Sequence, residues 1–83
     1  MRRMLNKHGT VLNIVEWWMT VNHWEYYITD QVDDQDSDIV FAMVCGFEDE
    51  MGDISRQEIL PYVRLKTEDL NEVAPAPDWQ WID

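Results

Sequence analysis

The 83 residues carry a formal net charge of −11 at pH 7, with 46% apolar and 12% aromatic side chains and one cysteine. That composition is too hydrophobic for an intrinsically disordered chain. The length leaves no room for a second module beside one thin core, and Cys45 alone can form neither an internal disulfide nor a cysteine-based zinc cluster.

The charge is unevenly spread. From His8 to Ser55 there is no lysine or arginine, yet that stretch holds eleven carboxylates interleaved with three of the five tryptophans. A one-signed field of this kind is more than folding requires and points to a cationic partner. Arg2, Arg3 and Lys7 resemble the charged start of a secretory signal, but Asn13 and Glu16 interrupt the apolar stretch that follows. The longest apolar run, Ile39–Phe47, is nine residues, short of the roughly 20 that span a bilayer. The expectation is a cytoplasmic protein with no membrane partner.

In chain order, residues 1–9 are a basic lead-in ending at Gly9. Thr10 can N-cap a helix running to about Thr20, because Val11, Ile14, Val15 and Trp18 recur at spacings of three and four and form one apolar stripe. Trp17 falls off that stripe, which makes it an edge or contact residue. From Trp24 the period changes to two: Trp24, Tyr26 and Ile28 alternate with Glu25, Tyr27 and Thr29, as in a half-buried strand. Asp30–Asp38 reads as a polar connector. Ile39–Phe47, apolar on both alternating sets, reads as a central strand covered on both faces.

Glu48–Glu50 closes that strand as an acidic turn, and Met51–Ile54 supplies a short third strand. Ser55 with Glu58 fits the capping box. Pro61 then limits the helix after Ser55 to one or two turns. One further turn is expected over Thr67–Asn71. Residues 74–83 form a tail in which an Ala-Pro-Ala-Pro run gives an extended path and Trp79 and Trp81 clip the chain to the core. The predicted fold is a single α+β domain over residues 1–83. Its N-terminal helix packs on a small, mainly antiparallel sheet of three to four strands, with a short helix after Ser55.

A tryptophan and tyrosine strand, His23-Trp24-Glu25-Tyr26-Tyr27-Ile28-Thr29-Asp30, is followed after the acidic loop by Phe41-Ala42-Met43-Val44-Cys45-Gly46-Phe47-Glu48-Asp49-Glu50-Met51-Gly52-Asp53-Ile54-Ser55 and Glu58. Over about residues 23–58 this resembles a family of small proteins of unknown function carried on plasmids, integrative elements and phages. The resemblance implies a mobile-element origin. It brings no activity, cofactor or site residue with it.

Several constellations bear on chemistry. Asp34, Asp36 and Asp38 alternate like calcium ligands, but the glycine and glutamate of an EF-hand loop are replaced by Ile39 and Cys45, so no metal site is expected. Cys45 lies in an apolar run without a cationic neighbour, which raises a thiol pKa and leaves His23 and Cys45 inert as a nucleophilic pair. No two carboxylates are fixed in a pocket as glycoside hydrolysis needs. The expectation is a protein that is not an enzyme and takes no cofactor. The cations Arg2, Arg3, Lys7, Arg56, Arg64 and Lys66 stand at the margins, so the mean field repels phosphate and direct nucleic-acid binding is not expected.

Five aspartates in the nine residues Asp30–Asp38 give about one charge per 6 Å of extended chain, against one per roughly 3.4 Å along a DNA strand. The acids could therefore stand in for phosphates. The expected partner-binding set is Asp30, Asp33, Asp34, Asp36, Asp38, Glu48, Asp49, Glu50, Asp53 and Trp17. The expected function is that of a non-enzymatic inhibitor from a phage or mobile element, blocking a nucleic-acid-binding site on a host defence complex by partial DNA mimicry. Anti-CRISPR and anti-restriction proteins are of this kind. The alternative is a regulatory or adaptor protein that binds through exposed aromatics, its acidity serving solubility alone. A homodimer stays open on either reading.

Overall fold

Between Val11 and Thr20 the chain is a strand. A computed structural model describes all of residues 1–83 and shows seven strands in one antiparallel sheet. They are β1 (Arg2–Asn6), β2 (Val11–Thr20), β3 (Glu25–Val32), β4 (Ile39–Cys45), β5 (Asp49–Ser55), β6 (Val63–Thr67) and β7 (Trp79–Trp81). The order runs β5-β4-β3-β2-β1-β7, and β6 pairs with the far end of β2. One short helix, α1 (Arg56–Ile59), continues into a 3-10 turn at Leu60–Tyr62. The predicted N-terminal helix is therefore absent, and the small α+β sheet is instead a mostly β architecture.

The helical spacing has a physical origin in a bulge. Ile14 opposes Thr29 and Glu16 opposes Ile28, so Val15 is an extra residue. A bulge shifts side-chain parity by one. Leu12 and Ile14 accordingly join the cluster on one face, whereas Val15 and Trp18 join the cluster on the other. Period two with one inserted residue imitates spacings of three and four. Strand preference of the β-branched and aromatic residues in this segment then prevails.

The lead-in of residues 1–9 is likewise mostly strand. β1 pairs with β2 from Arg2↔Ile14 to Leu5↔Val11. The Asn6 side chain, rather than a Thr10 cap, closes the turn, its Oδ1 accepting from the N–H groups of His8 and Thr10 at 3.0 and 2.8 Å. Gly9 supplies a φ of +86° there, a region that side chains rarely tolerate.

Both faces of the sheet are buried. Met4, Leu12, Ile14, Tyr27 and Met43 form one cluster, covered by Leu70 and Ala76 from the chain between β6 and β7. Trp18, Tyr26, Ile28, Val40 and Ala42 form the other, against Ile59 of α1 and Val63. Ser55 caps α1, its Oγ accepting from Glu58 N–H. Trp79 and Trp81 fasten the tail as β7, which pairs with β1, and the Trp81 indole donates to the Val73 carbonyl at 2.9 Å. No helix is long and apolar enough to cross a membrane.

Candidate functional site: an acidic edge and its neighbours

The nine predicted acids fall into two groups set by the β3–β4–β5 meander. Asp33, Asp34, Asp36 and Asp38 occupy the β3–β4 loop, with Asp30 in β3. Glu48 lies in the β4–β5 turn, and Asp49, Glu50 and Asp53 line β5. Register separates the groups: Ile39 pairs with Ser55 at the loop end of β4, and Cys45 with Asp49 at the other end. At about 3.3 Å per residue β4 holds them some 20 Å apart. Folding back does not gather them into one patch. They form a strip instead, because β5 is an edge strand running from the turn to the loop.

The loop is pinned by its own acids. Asp33 Oδ1 accepts from the N–H groups of Gln35 and Asp36, and Asp36 Oδ1 accepts from Asp38 N–H. Asp38 reaches α1, accepting from Ser55 Oγ and from Gln57 N–H. The Ser55 hydrogen bond chiefly, helped by Gln57 and Arg56, holds the Asp38 carboxyl below the usual carboxylate range. Asp34, Asp36 and Asp38 do not converge on a common point, and no group of three or more possible metal ligands forms.

None of these nine acids takes part in an ion pair. Arg3 pairs with Asp83 at 2.7 Å, and Arg56 and Lys66 both approach Glu16 at 3.7 Å. Glu16 also accepts from the Trp18 indole at 2.7 Å, and Arg56 stands 5.1 Å from the centre of the Trp18 ring. The strand order places Arg2 and Arg3 on β1, three strands from the β5 edge, Lys7 in the turn after β1, and Arg64 and Lys66 on β6. The nine acids thus follow the β3–β4 loop and β5, with Arg56 of α1 next along the chain and Lys7 lining a hollow with Asp49 and Met51.

Trp17 is on the packed side. It is half-buried against the first cluster, and its indole N–H donates to Glu25 Oε1 at 3.0 Å. The sequence placed it as a contact because of the helical stripe; the bulge turns it inward. The large exposed aromatics are Phe47, 94% exposed, and Tyr62, 60% exposed. Phe47 was hidden in the apolar run, which leaves the sheet after Cys45. The one available signal was Gly46 before it. A Cβ at Gly46 would come within 2.6 Å of the Trp24 ring, and Phe47 turns back edge-on to that ring at 5.4 Å.

Cys45 is half-buried at the end of β4. Burial first, then the Asp49 and Glu25 carboxylates, push its thiol up to about 12. A thiol so placed stays protonated at neutral pH and does not act as a nucleophile. Burial also raises the Tyr27 hydroxyl, which donates to the Ala74 carbonyl at 2.8 Å. His23 is exposed in the β2–β3 turn with a φ of +68°.

Comparison of the chain with protein-family models, curated proteins and solved structures finds no match.

Proposed function

We propose that this protein is a non-enzymatic inhibitor that presents its acidic strip to a basic, nucleic-acid-binding surface of another protein. One observation carries the reading: nine carboxylates from Asp30 to Asp53 are free of ion pairs, while the cations stand on other elements. Glu48, Asp49, Glu50 and Asp53 span about 17 Å of extended chain, or one charge per 4–5 Å. That approaches the roughly 3.4 Å spacing along a DNA strand. The target proposed is a host defence complex, in the manner of anti-CRISPR and anti-restriction proteins. The origin proposed is a phage or mobile element, acting in the cytoplasm.

The alternative, an adaptor that binds through exposed aromatics, is supported by the exposure of Phe47 and Tyr62. One experiment separates the two. Tagged protein captures partners from host lysate, with and without excess duplex DNA, beside a variant carrying Asp33→Asn, Asp34→Asn, Asp36→Asn and Asp38→Asn. Asparagine keeps the oxygen that accepts the loop hydrogen bonds, so charge is removed while the turn is retained. The inhibitor reading expects a nuclease or surveillance complex to be released by DNA and bound more weakly by the variant. Capture indifferent to both DNA and the substitutions favours the adaptor.

A further inference from the structure

On the second face the sheet leaves a groove uncovered. Trp24, Tyr26 and Val44 form its floor, Ile59 of α1 walls one side, and Phe47 stands at one end. Its charged lining residues are Glu48, Glu50 and Asp53, and no lysine or arginine lines it. Along the outer side runs β5, which pairs with β4 alone. Alternate N–H and C=O groups of Asp49–Ser55 therefore point outward as a template for another strand. Gly52 sits mid-strand opposite Ala42, and a Cβ built on it meets nothing within 4 Å.

We infer that an extended, basic segment of a partner protein pairs with the free edge of β5. The segment sets one large apolar side chain into the groove over Gly52 and lays lysines or arginines beside Glu50 on that face and against Asp49 and Asp53 on the other, where strand alternation turns them. Strand addition draws affinity from main-chain hydrogen bonds and specificity from pockets for alternate side chains. Charge selects the occupant. A second copy of β5 would bring like carboxylates face to face, which destabilises a strand pair, whereas a basic strand meets only acids. The inference deepens the proposed function, since it shares Glu48–Asp53 with the acidic strip, yet it needs the groove and none of Asp30–Asp38.

The probe is a fluorescein-labelled ten-residue peptide alternating lysine and valine with one central phenylalanine, titrated by fluorescence anisotropy and by amide chemical shifts. Saturable binding is expected, with shifts gathered on Trp24, Val44 and residues 49–55. Gly52→Leu fills the groove without altering charge and should weaken binding at least tenfold. Glu50→Gln with Asp53→Asn leaves the groove open and should weaken binding several-fold at low salt. Circular dichroism establishes that each variant is folded; should Gly52→Leu not fold, Gly52→Ser replaces it with a smaller expected loss. The loop variant with four asparagines should bind within about threefold of wild type, so failure of the DNA-mimic reading leaves this one standing. Absence of saturable binding overturns the inference. So does a folded position-52 variant that binds as wild type, or shifts gathered on Asp30–Asp38, which would mean diffuse charge attraction only.

Discussion

Gly46 shows how closely one residue can be specified. The Trp24 ring lies 2.6 Å from where a Cβ would stand, and Trp24 is itself held edge-on by Phe47. Gly46→Ala must displace the ring or the turn, and a loss of about 1–3 kcal/mol is expected, as for other overpacked sites. Chemical denaturation measures it, and a variant as stable as wild type would mean the ring moves freely. Cys45 supports a second residue-level prediction. Its folded pKa is raised, so the stabilisation linked to its proton is complete below the thiol's ordinary pKa of about 9 and lost as pH climbs toward about 12. Melting temperature should decline from about pH 9 in wild type. In Cys45→Val the decline should begin nearer pH 10, where Tyr27 would ionise in the unfolded chain. Identical profiles for the two proteins would contradict this assignment.

Among the elements, β2 decides the architecture, and there the sequence misleads. Val11, Ile14, Val15 and Trp18 satisfy a helical template because Val15 interrupts a period of two, and nothing local marks an inserted residue. The strands β3 and β4, by contrast, were legible as strands, and the apolar run of β4 is covered on both faces, but β3, read as half-buried, buries Tyr27 and Thr29 as fully as Tyr26 and Ile28. The Ser55 cap and the anchoring of the tail by Trp79 and Trp81 were legible too, whereas the pairing of that tail with β1 as a seventh strand was not. The acidic strip was legible in composition but not in shape, which depends on β5 being an edge strand. The bulge can be tested directly. Deleting Val15 removes the extra residue and leaves Ile14 opposite Thr29 and Glu16 opposite Ile28, so Leu12, Ile14, Trp17 and Trp18 keep their faces and cooperative unfolding should survive. Val15→Ala keeps the parity and should cost only about 1 kcal/mol. A deletion variant that loses its cooperative transition would show that Val15 is more than an insertion between two correctly registered halves of β2.

At the scale of the whole molecule, stability and binding should respond to salt in opposite directions. Seventeen acids face six lysines and arginines in an 83-residue chain, and the ion pairs involve only Asp83 and Glu16 among the acids. Self-repulsion along β5 and the β3–β4 loop is therefore relieved by no ion pair, with Arg56 easing it at Asp38. Raising salt from about 0.05 to 0.5 M shortens the Debye length from over 10 Å to a few ångströms. The melting temperature should rise by about 5 °C if roughly 1 kcal/mol of repulsion is screened, while affinity for a basic partner should fall steeply. Acid acts on the same balance. Lowering the net negative charge relieves self-repulsion. Asp38 and Asp83 titrate lower when folded than when unfolded, chiefly through hydrogen bonds from Ser55 and Arg3, so their contribution is complete above about pH 4 and lost as pH falls through their lowered values. Stability should therefore rise at first on acidification and then fall below about pH 4, measurable by thermal melts across pH at low salt. At high salt the gain on acidification should shrink while the loss below pH 4 persists, because screening weakens distant repulsion more than short hydrogen bonds. A profile that falls monotonically from pH 7 would mean that repulsion on the acidic edge is too weak to matter, and would remove the electrostatic basis for its recognising a cationic surface.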